Sequence, residues 1–347
     1  MTSPTAFSSS HRRDPLEATI LTVILVGAAL TFGYLNGFHD SSNVVATVIS
    51  SRAMSPSFAL ALAGAGVLCG PFLFGVAVAQ TIGRDITPSE TLTPAVILSA
   101  LLAAIAWNLI TWWFGIPSSS SHALIGGLVG AVAGANGLSL IRVAGLTKVA
   151  IALVISPILG AGLGWLLMRL VIFIARTFEL SPRINWVFKR GQMLTAMTLA
   201  LSHGTNDAQK TMGMIAMALI ATGHMDTFAV PTWVIASSAG AMALGMATGG
   251  RRIIRTLGHG IYRVRPVHGF SAQAAAAGVI LGAALLGGPV STTHVVSSAI
   301  MGVGSAERLR RVRWGLVENI VLAWIVTLPA TAILAAGLVQ VASQAIK

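Results

Sequence analysis

Two carboxylates stand where carboxylates are expensive. Asp40 lies in "NGFHDSSNVV" (36–45) and Asp207 in "HGTNDAQKTM" (203–212), each adjoining long apolar sequence. An ionised side chain at the centre of a bilayer costs at least about 2.5–3.5 kcal/mol even on insertion scales, so such groups usually mark ion or substrate pathways. A carboxylate that only caps a helix or pairs within a bundle is the duller reading. Most other acidic residues fall in the tail or in connecting segments, and Glu318, one turn into the last apolar run, can snorkel to the interface.

The two aspartates are one feature written twice. Aligning residues 36–49 with 203–216 sets Gly37 on Gly204, His39 on Asn206, Asp40 on Asp207 and Asn43 on Lys210. A second pair of segments repeats in the same order, "GIPSSSSHALIGGLVGAV" (115–132) and "GGPVSTTHVVSSAIMGVG" (287–304), with Ser119 on Ser291, Ser120 and Ser121 on Thr292 and Thr293, and His122 on His294. The aspartates are 167 positions apart, while the histidines and the pair Pro157 and Pro329 are 172 apart. Two polar motifs duplicated in order at matched spacing define two homologous halves.

Each motif implies a local structure. Proline followed by a row of hydroxyls and then an apolar run reads as a capped helix start, so 117–122 and 289–294 are expected to open half-helices. Unpaired amides and the positive dipole end there attract an anion. Gly37 and Gly204 read as points where a helix unwinds, leaving carbonyls and carboxylates to face a cation. Oxyanion and cation then neutralise part of each other's charge, a physical basis for coupled transport.

The elements that position these motifs are membrane helices. Of 347 residues, 55% are hydrophobic and 9% charged, with a mean hydropathy of +0.82, values of a polytopic membrane protein. Apolar runs fall at 18–35, 58–80, 94–114, 143–175, 229–248, 272–287 and 315–342, continuous rather than alternating, so helices rather than a barrel are predicted. The expected fold is all-α and polytopic, two inverted repeats with broken helices and re-entrant hairpins in roughly 10–12 membrane segments. The expected division is a polar tail (1–17), a first repeat (18–176), a short linker (177–191) and a second repeat (192–347). The net charge of +12 resides largely in "GGRRIIRTLGHGIYRVR" (249–265) and "ERLRRVR" (307–313). These read as cytoplasmic loops by the positive-inside bias, and no soluble basic module points to nucleic acid.

"NGFHDSSNVVATVISSRAMSP" (36–56), "LSHGTNDAQKTMGMIA" (201–216) and "GPVSTTH" (288–294) together resemble the PiT family of inorganic phosphate transporters, over nearly the whole chain. The resemblance implies a multi-pass plasma-membrane symporter, often a homodimer, that takes inorganic phosphate, in some relatives as a metal-phosphate complex. It implies that Asp40 and Asp207, helped by Asn43, bind the coupling cation. It also implies that Asn206, Ser119, Ser120, Ser121, Ser291, Thr292 and Thr293 reach phosphate oxygens or complete the cation shell. No cofactor is implied, and no ATP, since GxxxxGK[ST] does not occur.

Two residues depart from the sodium-coupled pattern: His39 replaces an asparagine, and Lys210 stands opposite Asn43. A lysine ammonium donates only and cannot ligate a metal ion, whereas His39 can exchange a proton near neutral pH. Coupling to H+ is therefore favoured over Na+, with Asp40 or Asp207 as carrier. Sulfate, another tetrahedral oxyanion, is the rival substrate. An intramembrane hydrolase built on Ser119 and His122 or on His203 and Asp207, and a transition-metal transporter using His39, His122, His203 and His294, are more remote.

Overall fold

The computed structural model describes residues 14–88, 91–179, 181, 184–249 and 264–345. Most of the expected polar tail and most of the basic segment 249–265 lie outside the described residues. Among the described residues the regular structure is entirely helical: α1 (Pro15–Ser50), α2 (Pro56–Phe74), α3 (Ala77–Gln80), α4 (Pro94–Phe114), α5 (Ser120–Asn136), α6 (Val143–Thr177), α7 (Ile184–Ala221), α8 (Thr232–Thr248), α9 (Pro266–Leu285), α10 (Thr292–Glu307) and α11 (Trp314–Ala345). The chain is a multi-pass membrane protein. Six of these helices, α1, α2, α4, α6, α9 and α11, are long and apolar enough to cross a membrane.

Helix starts follow local chemistry. α2 and α4 begin with proline in the first turn, where its missing N–H is no loss. Ser55 and Thr93 cap them, accepting from the amides of Phe58 (3.4 Å) and Val96 (3.3 Å). The apolar run 58–80 does not continue as one helix: Gly75, with φ of +82°, ends α2 before the short α3. α7 has 38 residues but is less apolar because its middle carries "SHGTNDAQK". α5, α8 and α10 have 17, 17 and 16 residues, about 25 Å of helix, short of a tilted crossing.

The halves exchange partners. α1 packs on α8 and α7 on α2, while α5 packs on α11 and α10 on α6. Four of the close approaches are glycine seats placed reciprocally. A methyl at Gly37 would overlap the carbonyl oxygen of Met242, and one at Gly204 that of Val67. Gly245 and Gly70 return the same contact to Tyr34 and Leu201. Small residues let helix backbones approach within a bilayer, where van der Waals packing and hydrogen bonds replace the hydrophobic drive.

That packing corrects one expectation. α1 and α7 run unbroken through Gly37 and Gly204, so neither helix unwinds at the motif. Both glycines are present because another helix passes too close for a side chain. With the helices intact, side chains rather than freed carbonyls of α1 and α7 face the site. The outer faces are lined with exposed Leu, Ile and Phe such as Ile158, Phe173, Leu322 and Ile333, as lipid contact requires.

Candidate functional site

The expected half-helix starts are where α5 and α10 begin. Ser119 accepts from the amide of His122 (3.1 Å) and Ser291 from that of His294 (3.3 Å). These two hydroxyls are therefore N-caps, committed to their own helices. The next two residues in each row, Ser120 and Ser121, Thr292 and Thr293, occupy the first turn, whose amides have no acceptor within the helix. Three of these side chains, Ser120, Thr292 and Thr293, meet the two aspartates, and Ser121 meets Lys210 and donates to the Val290 carbonyl (2.8 Å).

Asp40 accepts from Ser120 Oγ (3.1 Å) on Oδ2 and from Thr293 Oγ1 (3.3 Å) on Oδ1, while His39 Nδ1 lies 2.9 Å from Oδ1. Asn43 Nδ2 donates to Thr293 Oγ1 (3.0 Å). In the second motif Thr292 Oγ1 donates to Asp207 Oδ2 (2.9 Å), and the Lys210 ammonium is bonded to Asp207 Oδ1 and to Ser121 Oγ. Asn206 Nδ2 donates to the Gly288 carbonyl (3.0 Å), leaving its own Oδ1 without a partner. Each aspartate thus takes one hydroxyl from its own half, and Asn43 and Lys210 both reach across to the other half's second hydroxyl.

All of these side chains are at most 2% exposed. Two carboxylates and one ammonium share this buried volume, and hydroxyls carry no charge, so the ionised trio is one cation short of neutrality. One ligand atom each from Asp40, Asp207 and His203 lies within 4.8 Å of the others. Carboxylate oxygens and an imidazole nitrogen suit a hard or borderline cation.

His203 entered the sequence argument only through the rival readings, although its spacing of four from Asp207 places both on one face of a helix. Its Nε2 stands 3.3 Å from Asp207 Oδ2 without hydrogen-bond geometry, and neither ring nitrogen has a partner. His122 and His294 do not join this cluster: their rings lie 4.6 Å apart and His294 stacks on Trp324 at 3.8 Å. A relay behind His39 also escaped the sequence reading. Its Nε2 is 3.3 Å from Thr111 Oγ1, which accepts from Ser118 Oγ (2.8 Å). Thr111 lies at the end of an apolar helix, with nothing in its neighbours to single it out.

The comparisons agree with what the motifs resemble. The model of a family described as "Phosphate transporter family" matches residues 36–184 and again 175–335. A Bacillus subtilis protein named "Probable low-affinity inorganic phosphate transporter" is 46% identical over 321 residues, covering 91% of this chain and 96% of its own. A Rhizobium meliloti protein of the same name is 45% identical over 327 residues, covering 92% and 97%. Among solved structures, one named "The sodium-dependent phosphate transporter" superposes with a TM-score of 0.84 at 25% identity, over 94% of this chain and 99% of that one. The relatives are named as transporters, which is not an enzymatic function. With a family model matched in both halves and such relatives aligned almost end to end, the chain belongs to the phosphate transporter family.

Proposed function

We propose that this protein imports inorganic phosphate across the plasma membrane as a secondary active symporter, moving a cation with the anion by alternating access. The observation that carries the reading is the convergence of Asp40, Asp207 and the hydroxyl rows of α5 and α10 in one closed, buried cluster. An anion here meets helix N-termini and neutral donors, while a cation meets carboxylates. Neither needs to be stripped of water without compensation.

In this reading Ser120, Thr292 and Thr293 turn from the aspartates, and Ser121 from the Val290 carbonyl, to phosphate oxygens when the anion enters, and Asn43 completes the cation shell. Ser119 and Ser291 contribute by holding the half-helix ends in place. The unpartnered Asn206 Oδ1 supports phosphate over sulfate, because protonated phosphate can donate to an acceptor and sulfate cannot. The family description and the relatives' names support the same choice. The division into repeats 18–176 and 192–347, related by an in-plane pseudo-two-fold, is supported by the reciprocal packing of α1 on α8 and α7 on α2.

The coupling cation in the first reading is H+, supported by His39 against Asp40 and by Lys210 in place of an amide. Na+ is the second reading, supported by the likeness to a solved transporter named as sodium-dependent. One experiment separates them: uptake of labelled phosphate and sulfate by purified protein in liposomes, with sodium and proton gradients imposed separately. Phosphate uptake driven by an inward proton gradient alone is expected. Uptake that requires sodium and ignores the proton gradient assigns Na+, and uptake of sulfate in preference to phosphate overturns the substrate.

A further inference from the structure

Asn43 and Lys210 occupy matching positions and make matching bonds, yet they leave opposite things behind. Asn43 gives its amide hydrogens to Thr293 and keeps a buried carbonyl oxygen, Oδ1, with no partner. The Thr293 hydroxyl that accepts from Asn43 Nδ2 also donates to Asp40, so the open oxygen belongs to a side chain already tied into the Asp40 network. Lys210 keeps nothing. An ammonium has three donors and no acceptor, and three acceptors surround this one: Asp207 Oδ1, Ser121 Oγ and the Val290 carbonyl at 3.4 Å.

The two halves therefore present one carboxylate with an open oxygen beside its network and one whose positive partner is already in place. The Lys210 side chain is among the largest fully buried in the molecule. A buried ammonium is tolerated only where it is paired and hydrogen-bonded, and here every donor is spent on the site rather than on structure elsewhere.

We propose that Lys210 is a tethered cation, holding in the second half the place that a free monovalent ion would otherwise take. The transporter then carries a single coupling cation per phosphate, at Asp40 with Asn43 Oδ1 as a further oxygen, although its two-fold architecture offers two places. A charge attached to the chain neutralises Asp207 in every state of the cycle but is never released, so it contributes to binding and not to the driving force. The inference rests on the symport reading and adds its stoichiometry.

The test is the static-head ratio in liposomes holding the full-length protein, with the membrane potential clamped at zero and the coupling-cation gradient varied. In the wild type a tenfold inward cation gradient should hold about tenfold phosphate accumulation, and in Lys210→Asn, which restores the residue type of the first half, about a hundredfold, since the ratio scales as the cation ratio raised to the number coupled. A wild-type ratio that follows the square of the gradient overturns the tethered cation while leaving symport intact. So does a Lys210→Asn ratio that still follows the gradient linearly. Wild-type accumulation that follows neither the sodium nor the proton gradient overturns symport itself. The wild-type measurement decides the matter even where the variant does not fold.

Discussion

The hydroxyl rows contain two kinds of side chain with different work. Ser119 caps α5, so Ser119→Ala should cost about 1 kcal/mol of stability and leave transport largely intact, as read by thermal unfolding and by initial uptake rate. Ser120 donates to Asp40, so Ser120→Ala should instead weaken phosphate uptake at sub-saturating substrate with little change in melting. The Asp207 and Lys210 pair behaves differently again. Breaking it by Asp207→Asn leaves an uncompensated buried ammonium and should cost about 3–5 kcal/mol, whereas Asp207→Asn combined with Lys210→Met should recover much of that loss. A double variant no more stable than the single one would show that the pair does not hold the fold.

At the scale of elements, the apolar runs and the proline and hydroxyl signals located most helices, because both follow from composition over short windows. Half-helix starts at 117–122 and 289–294 were legible since capping is a local matter of two or three residues. The continuity of α1 and α7 was not. Glycine in a helix signals either a break or a close neighbour, and only the tertiary approach of Met242 and Val67 decides between them. Gly37→Ala should therefore destabilise the protein by about 1–3 kcal/mol through overpacking. Gly27→Ala, on the same helix with open space around it, should be neutral or slightly stabilising. Thermal unfolding of the two variants in detergent checks the contrast.

Taken whole, the molecule shows why the duplicated motifs carried so much. Asp40 and Asp207 are marked by their apolar surroundings and, with the hydroxyl rows, by repetition, neither of which needs knowledge of contacts. Thr111 carries no such mark, because its importance comes from a distance between helices, 3.3 Å to His39. His203 shares a helix face with Asp207, 3.3 Å away, but no histidine stands at the aligned position of the first half to repeat it. If the cluster is one site, Asp40→Asn should reduce phosphate accumulation in liposomes to the level of protein-free vesicles, although the variant retains its fold. Accumulation that survives this change would separate the carboxylate from the transport cycle.

The reciprocal glycine seats bear on how such a protein is made. During synthesis α1 and α2 enter the bilayer while the helices that will occupy their seats, α8 and α7, are not yet translated. Until then Gly37 and Gly70 are exposed grooves filled by lipid, and the first hydroxyl row has no opposite number. Assembly must end with an interdigitation of the two halves rather than the docking of two finished domains. A chain interrupted near residue 180 could still be made whole by supplying the missing half in the same membrane, since each of these four seats has its occupant on the other piece.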